Sequence, residues 1–239
     1  MEAATGSKAP PARQAEGLLL LDKPAGVTSH DMVVAARRAY GERSIGHLGT
    51  LDPFATGLLV LLLGRSTRLA TFIDTEPKTY EATIRFGAET ETDDSTGTVV
   101  RVAPEPELQL VTRAIATLTG AILQVPPSYS AKSVNGERAY DAARRGQPVE
   151  LAPASVTVHE WRIHEQHRAW LSATITCGSG TYIRALARDL GRASGSAAHL
   201  ESLRRTRCGQ FDVRDAASLE DLRNAPPRLR SLLVVSSDA

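Results

Sequence analysis

Hydrophobic and polar residues follow two periods along the chain, and their order predicts the fold. Gly17 to Asp22 holds four consecutive leucines and ends at Lys23-Pro24, which indicates a short buried strand that leaves through a turn. Within residues 78–86 apolar side chains alternate with polar ones, so the apolar side chains share one face, as in a strand with one buried face. The same reasoning predicts strands at 58–63, 156–165, 168–177 and 203–211.

Helical segments interrupt these strands at irregular intervals. Thr28-Ser29-His30-Asp31 has the form of a capping box in front of a helix at 32–40. Residues 44–57 contain three glycines and a proline without clear periodicity, so we expect a long loop there. Further helices are predicted at 66–73, 107–119, 137–145, 181–193 and 218–223. This irregular order favours an α+β fold with a mixed, largely antiparallel sheet over a doubly wound one.

Composition narrows the class of protein. The chain has 239 residues, of which 42% are hydrophobic, enough for one large domain or two small ones. Its two cysteines, Cys177 and Cys208, fit neither a disulfide scaffold nor, with the six histidines, a zinc site. Residues 1–16 lack the apolar segment of a signal peptide and are expected to be a disordered tail. No stretch reaches the ~18 apolar residues of a membrane span, which predicts a cytoplasmic protein without membrane contact.

Candidate chemistry is concentrated in the segment from Gly46 to Gly57. Glycines at both ends permit backbone conformations that are closed to other residues, and Pro53 restricts the chain directly after Asp52. A carboxylate displayed on such a rigid loop suits a nucleophile. The alternative is that Asp52 only caps a turn or a helix, as most Asp-Pro dipeptides in loops do.

This segment closely resembles the signature of the TruB family of pseudouridine synthases, G-H-x-G-T-L-D-P-x-A-T-G. The resemblance continues in order along most of residues 17–210. It is carried by residues 21–29, 78–80, 86–87, 90–97, 126–127, 129–131, 135–140, 179–191 and 203–206. One departure is Leu48, where the family usually has a small or hydroxyl residue. The resemblance implies a pseudouridine synthase fold with a catalytic domain at 17–225 and a thumb-like insertion at about 124–152. We expect 226–239 to be a tail, without the PUA domain that ends many bacterial members.

The resemblance implies an isomerase that converts uridine to pseudouridine in the T-loop of tRNA, at position 55. It assigns Asp52 as the catalytic residue, and the reaction is expected to need neither a metal nor another cofactor. Arg184 would be the ion partner that keeps this carboxylate charged in a dry pocket. Without the resemblance, Arg184 and Arg188 stand four residues apart on a helix and could both face water.

Other residues are assigned to the site by the same resemblance. Tyr80 would stack on the target uracil, Tyr182 and Leu203 would line the pocket, and all three could otherwise be ordinary core residues. His47 would insert into the RNA beside the flipped base, whereas a lone histidine in a glycine-rich loop is usually a polar turn residue. Lys23 would support the site from a neighbouring turn.

The expected partner is the T-arm stem-loop of tRNA, bound by a monomer without an obligatory protein partner. The thumb would fold over the RNA and bring basic side chains to the phosphates, although such a basic segment is more often only solvated. The candidate RNA-binding residues are Lys132, Arg138, Arg144 and Arg145.

Two other functions remain open at this stage. The same scaffold could serve as a non-catalytic tRNA-binding or tRNA-folding module. An aspartate-dependent phosphatase is a third class, but it normally requires Mg²⁺ and further carboxylates, which the Asp52 loop does not offer.

Overall fold

A computed structural model describes residues 15–130 and 151–231, together with single positions between these two ranges. Those positions are 133, 134, 137, 138, 142, 145, 147 and 149, the first four by their backbone only. Residues 1–14, which make up most of the predicted tail, lie outside the described residues, as does most of the predicted thumb.

The described elements follow one another in a mixed order. They are β1 (Gly17–Lys23), α1 (Ser29–Tyr40), β2 (Ile45–Leu48), β3 (Thr56–Leu63), a 3-10 helix (Gly64–Phe72), β4 (Lys78–Phe86), β5 (Ala88–Thr90), β6 (Val99–Val102), α2 (Leu108–Thr117), β7 (Gly120–Gln124), β8 (Ser133–Val134), β9 (Glu137–Arg138), β10 (Ala154–Gln166), β11 (Trp170–Cys177), α3 (Ile183–Ala193), β12 (Ala198–Cys208), β13 (Phe211–Asp212), a 3-10 turn (Val213–Asp215), β14 (Ala217–Ser218) and α4 (Leu219–Asn224).

One large sheet organises the part of the chain that is described. Its strands lie in the order β14-β1-β3-β12-β4-β11-β10-β7, with β2 beside β3 and β13 beside β12. The pairs β14–β1 and β3–β12 are parallel, and the other neighbours are antiparallel. The predicted α+β fold with a mixed, largely antiparallel sheet is therefore confirmed.

The central strand β3 explains why its sequence is an unbroken apolar run. Leu59, Leu61 and Leu63 face the cluster that includes Met32 and Val33 of α1. The alternate residues face a second cluster on the opposite side of the sheet, with Leu58, Val60 and Leu62. A strand covered on both faces cannot alternate between apolar and polar residues, because neither of its faces meets water.

Several predicted boundaries are wrong, because strand pairing or a 3-10 helix replaces the element that the local pattern indicated. Ile45–Leu48, inside the predicted loop, pairs with β3, while 64–72 is a 3-10 helix. The strand predicted at 203–211 begins earlier, at Ala198, and pairs with β4 along its length. Glu137–Arg138, expected to start a helix, pairs with Ser133–Val134 as a strand.

The C-terminal segment that was expected to be a tail contacts the sheet. Within 226–231, Arg230 exchanges two backbone hydrogen bonds with Leu18 of β1, each of 2.9 Å between nitrogen and oxygen. The Pro227 carbonyl accepts a hydrogen bond from the Tyr40 hydroxyl. The folded part of the chain therefore continues beyond residue 225.

Gly57 lies at a close approach between β3 and β12. Its φ is +102°, and a Cβ at this position would collide with the Arg205 carbonyl oxygen and lie 2.7 Å from the Arg205 nitrogen. Gly87 has a similar φ of +96°, but its Cβ would meet only the Ala103 oxygen, at 3.7 Å. Substitutions at these two glycines therefore distinguish the energetic cost of backbone strain from that of a steric collision.

We predict that Gly57→Ala lowers the free energy of unfolding by about 2–5 kcal/mol, because strain of about 1–2 kcal/mol adds to overpacking of about 1–3 kcal/mol. Gly87→Ala, the matched control, should lose only the strain contribution. Urea denaturation of both variants measures the difference. Equal losses would show that the close contact with Arg205 has no energetic consequence.

Candidate active site

Asp52 and Arg184 form a two-pronged ion pair at the centre of the site. Arg184 Nε donates to Asp52 Oδ2 at 2.9 Å, and Nη2 donates to Oδ1 at 3.2 Å. The Arg184 side chain is 5% exposed, whereas that of Asp52 is 36% exposed. Arg184 thus holds the Asp52 carboxylate from the protein interior, and the solvent-facing side of the carboxylate is open to an incoming molecule.

Arg184 also donates to two backbone carbonyls. Nη1 donates to the Thr92 carbonyl at 2.8 Å, and Nη2 donates to the Tyr129 carbonyl at 2.8 Å. A second carboxylate, Asp94 Oδ2, lies 3.7 Å from Nε. These contacts fix the guanidinium plane, and the alternative in which Arg184 faces water is wrong.

The loop around Asp52 is held by the first residue of α1 and by the turn before this helix. The Ser29 hydroxyl donates to the Leu51 carbonyl at 3.0 Å and accepts from the Leu51 N–H at 2.9 Å. Gly26 N donates to the Pro53 carbonyl at 2.8 Å. The capping box of Thr28 and Asp31 is present, as predicted, and it fixes the start of α1 beside the loop.

Lys23 approaches the same loop from β1. It is fully buried, and its Nζ donates to the carbonyls of Pro24, Val27 and Pro53 at 2.9, 2.8 and 3.2 Å. Burial lowers the pKa of Lys23 to about 8, while the nearby charge of Asp52 opposes that shift. The ammonium thus holds the Pro53 turn through backbone carbonyls.

Tyr80 and Leu203 form an apolar wall in the cluster that also contains Leu51 and Ala55. Burial raises the pKa of Tyr80 to about 12, so its phenol is neutral near pH 7. Tyr182 is half-buried, and Gln124 fixes its backbone by accepting from its N–H at 2.8 Å and donating to its carbonyl at 3.2 Å.

His47 lies on β2, opposite Leu61 of β3. Its Nδ1 is buried and has no hydrogen-bond partner in the described part of the chain. Burial, together with the charge of Arg205, lowers the pKa of His47, so the imidazole is neutral near pH 7. Lys132 and Arg144 lie outside the described residues, Arg138 is described by its backbone only, and Arg145 is exposed.

Four charged residues near the site were not among the sequence candidates. Asp94 approaches Arg184, and Asp93 Oδ2 accepts from Arg188 Nη1 at 2.8 Å. Arg205 contacts the carbonyls of Gly49, Thr50 and Leu58. The adjacent carboxylates of Asp93 and Asp94 were the available signal, but their distance in sequence from Arg184 and Arg188 concealed the contacts.

Two further observations concern the described residues as a whole. They contain no group of three or more His, Cys, Asp or Glu side chains placed to hold a metal ion. None of their helices is long and apolar enough to cross a membrane.

The buried pair of Arg188 and Asp93 supports the turn that carries the Thr92 carbonyl and the Asp94 carboxylate. Burial raises the pKa of Asp93 to about 6, and the neighbouring charge of Arg188 opposes this shift. Because the folded-state pKa exceeds the ordinary value of 3.8, the folded state binds the proton more strongly between these two values. The contribution of Asp93 to stability therefore falls as the pH rises through that window.

We predict that Arg188→Ala lowers the free energy of unfolding by about 3 kcal/mol at about pH 8, because an unpaired carboxylate remains buried. The loss should be smaller at about pH 5, where Asp93 takes up a proton. Urea denaturation at both pH values measures it. Arg85→Ala, which removes an exposed pair with Glu201, is the control and should cost at most about 1 kcal/mol at either pH. A loss that does not change with pH would contradict this account of the Asp93 pair.

Comparison with known proteins identifies sequences that are related to most of this chain. The chain matches the TruB family pseudouridylate synthase (N terminal domain) over residues 37–183 and the tRNA pseudouridylate synthase B C-terminal domain over 184–232. A protein named tRNA pseudouridine synthase B from Thermobifida fusca (strain YX) is 48% identical over 218 residues, which cover 87% of this chain and 74% of that protein. The protein of the same name from Arthrobacter sp. (strain FB24) is 50% identical over 214 residues, covering 86% of this chain and 70% of that protein.

Solved structures show the same fold. In an archaeal box H/ACA sRNP Nop10-Cbf5 complex, the matching chain is 26% identical with a TM-score of 0.64, covering 87% of this chain and 53% of that one. In an H/ACA RNP bound to a substrate RNA containing 2'-deoxyuridine, the matching chain is 25% identical with a TM-score of 0.63. The match covers 86% of this chain and 51% of that one. This chain spans about half the length of each, and the expected pseudouridine synthase fold is confirmed. With its N-terminal family match alone covering residues 37–183, this chain belongs to the TruB family of pseudouridylate synthases.

Proposed function

We propose that the chain is a tRNA pseudouridine synthase that isomerises uridine 55 in the T-loop, with Asp52 as its catalytic residue. The observation that carries the proposal is the ion pair of Asp52 with Arg184, buried on one side and open on the other. The substrate class is supported by the relatives named tRNA pseudouridine synthase B.

The reaction rearranges bonds without a net change in composition. The N1–C1′ bond of uridine breaks, the uracil turns, and a C5–C1′ bond forms, while a proton leaves C5 and another is gained at N1. No oxidant or reductant is needed. A carboxylate can serve as nucleophile or as base in such a sequence, and the partly exposed Asp52 is the group available for either role.

Arg184 supports this chemistry by orienting Asp52. Both carboxylate oxygens accept from one guanidinium, which is itself fixed by the carbonyls of Thr92 and Tyr129. A charged acceptor held in this way does not need to reorganise when charge develops on the sugar, which is the usual source of electrostatic catalysis.

Tyr80, Leu203 and Tyr182 are proposed to hold the base. The Tyr80 ring and the Leu203 side chain belong to the apolar cluster that includes Leu51, next to Asp52. A uracil that leaves its stack in the RNA loses a few kcal/mol of stacking and pairing, and apolar contacts with these side chains offset part of that loss. The Tyr80 side chain is the candidate group for removing the C5 proton, and to accept it the phenol must first give up its own proton.

The RNA outside the flipped nucleotide is proposed to meet His47 and the thumb. A neutral imidazole can enter a gap between bases at less desolvation cost than an imidazolium, and the lowered pKa of His47 favours the neutral form. The proposed phosphate contacts are Lys132, Arg138, Arg144 and Arg145, and Lys23 is proposed to support the catalytic loop. We further propose that the enzyme acts as a monomer in the cytoplasm without a metal or another cofactor.

The second candidate is a non-catalytic tRNA-binding or tRNA-folding module on the same scaffold. It requires basic surface and shape, but not a carboxylate held by two hydrogen bonds to a buried guanidinium. The intact pair of Asp52 and Arg184 therefore favours the enzyme.

We predict that Asp52→Asn abolishes tritium release from T-arm RNA labelled at uridine C5, because the amide cannot serve as nucleophile or base. Wild-type release should be the same with and without EDTA. Asp74→Asn, which alters an exposed loop aspartate that only accepts from the Glu76 N–H, is the matched control and should keep full activity. Release by Asp52→Asn at the wild-type rate would refute the catalytic assignment, and binding without release in the wild type would favour the RNA-binding module.

We predict that Arg184→Ala lowers kcat by about 10²–10³-fold, the usual effect of removing a preorganised charged donor, while the Kd for T-arm RNA changes less than about threefold. Arg184→Lys should recover part of kcat, since it restores the charge without the two-pronged contact. Single-turnover kinetics and filter binding measure the two quantities. Arg162→Ala, at an exposed arginine of β10, should change neither. If Arg184→Ala instead weakens RNA binding much more than it lowers kcat, Arg184 is a phosphate ligand.

A further inference from the structure

Arg205, in β12, is a buried arginine that lies outside the roles described so far. Only 1% of its surface is exposed. Its Nε donates to the Leu58 carbonyl at 2.8 Å, Nη2 to the Gly49 carbonyl at 3.0 Å, and Nη1 to the Thr50 carbonyl at 3.4 Å. One guanidinium therefore contacts the chain on both sides of Asp52.

The backbone of Arg205 is equally close to the site. Arg205 is the register partner of Gly57 in β3 and of Tyr80 in β4. Side chains directly opposite each other on antiparallel strands are immediate neighbours, so the guanidinium stem lies beside the Tyr80 ring. The positive charge of Arg205 opposes the rise in the Tyr80 pKa that burial causes.

This cation has no carboxylate partner within the described ranges 15–130 and 151–231, where it contacts backbone carbonyls and the Tyr80 hydroxyl. An unneutralised buried charge is unfavourable for folding, and a well-packed apolar side chain of similar volume is often better for stability. The guanidinium is therefore better explained by the arrangement it imposes than by stability.

We propose that Arg205 is a positioning residue that ties the Asp52 loop and the Tyr80 side chain into one rigid unit. On the proposed function, on which this inference rests, the carboxylate and the phenol must meet the same nucleotide. A displacement of about 1 Å between such groups can cost about 10²-fold in rate. The planar fork of an arginine spreads its donors and can reach carbonyls on both sides of the loop, whereas the compact ammonium of a lysine donates from a single point.

The test uses two substitutions in the full chain, Arg205→Lys and Arg205→Gln. Lysine keeps the charge without the fork, and glutamine loses both. If position is what matters, both variants should lose about 10–100-fold in kcat for tritium release, with KM within about threefold of wild type. Arg207→Lys, an exposed arginine of the same strand, is the matched control and should change neither quantity.

A double-mutant cycle tests the link to Tyr80. Arg205→Lys should cause a smaller fold-loss of kcat in a Tyr80→Phe background than in wild type, because groups that act as a unit are not additive. Full additivity contradicts the proposed unit. Wild-type kcat in Arg205→Lys together with a large loss in Arg205→Gln would overturn the proposal in favour of charge alone, and an effect confined to KM would overturn it as well.

Hydrogen exchange gives a readout that does not depend on activity. Amides of residues 46–57 should exchange faster in Arg205→Lys than in Arg207→Lys, because the loop loses its anchor. If the wild-type chain releases no tritium, the proposed function fails, and exchange still decides the role of Arg205. Unchanged exchange in that segment would overturn the positioning role.

Discussion

The site depends on one physical constraint, which is that a carboxylate must remain charged and oriented while its partner is withdrawn from water. The Asp52–Arg184 pair meets this constraint because the guanidinium donates two hydrogen bonds to the carboxylate and two to backbone carbonyls. A buried ion pair stabilises a fold only when such additional hydrogen bonds satisfy both partners. The carbonyls of Thr92 and Tyr129 are therefore as much a part of the site as the carboxylate itself.

Backbone carbonyls are the common means by which this structure holds buried cations. Lys23 donates to three of them and Arg205 to three others, and both residues lie against the segment that carries Asp52. Carbonyl dipoles stabilise the cations without neutralising them. The partly exposed carboxylate of Asp52 thus lies near several positive charges, an arrangement suited to a reaction in which negative charge moves between carboxylate and base.

The sheet brings these groups together from distant parts of the sequence. β3 carries the exit from the Asp52 loop, β12 carries Leu203 and Arg205, and β4 carries Tyr80 between β12 and β11. The unusual residues follow from this geometry. Gly57 is required where β3 and β12 approach closely, and Arg205 is enclosed by the loop that it anchors.

The sequence alone determined the α+β class, the main strands and helices, the capping box of α1 and the family, because these depend on short-range periodicity and on a contiguous signature. It also named Asp52 and Arg184 as partners, although only through a resemblance. The tertiary structure decided that β2 is a strand, that Arg188 is buried against Asp93, and that Arg205 reaches across the sheet to Gly49. Such contacts join residues far apart in the chain, and no local pattern encodes them, because their energies arise only when the sheet has formed and water has been excluded.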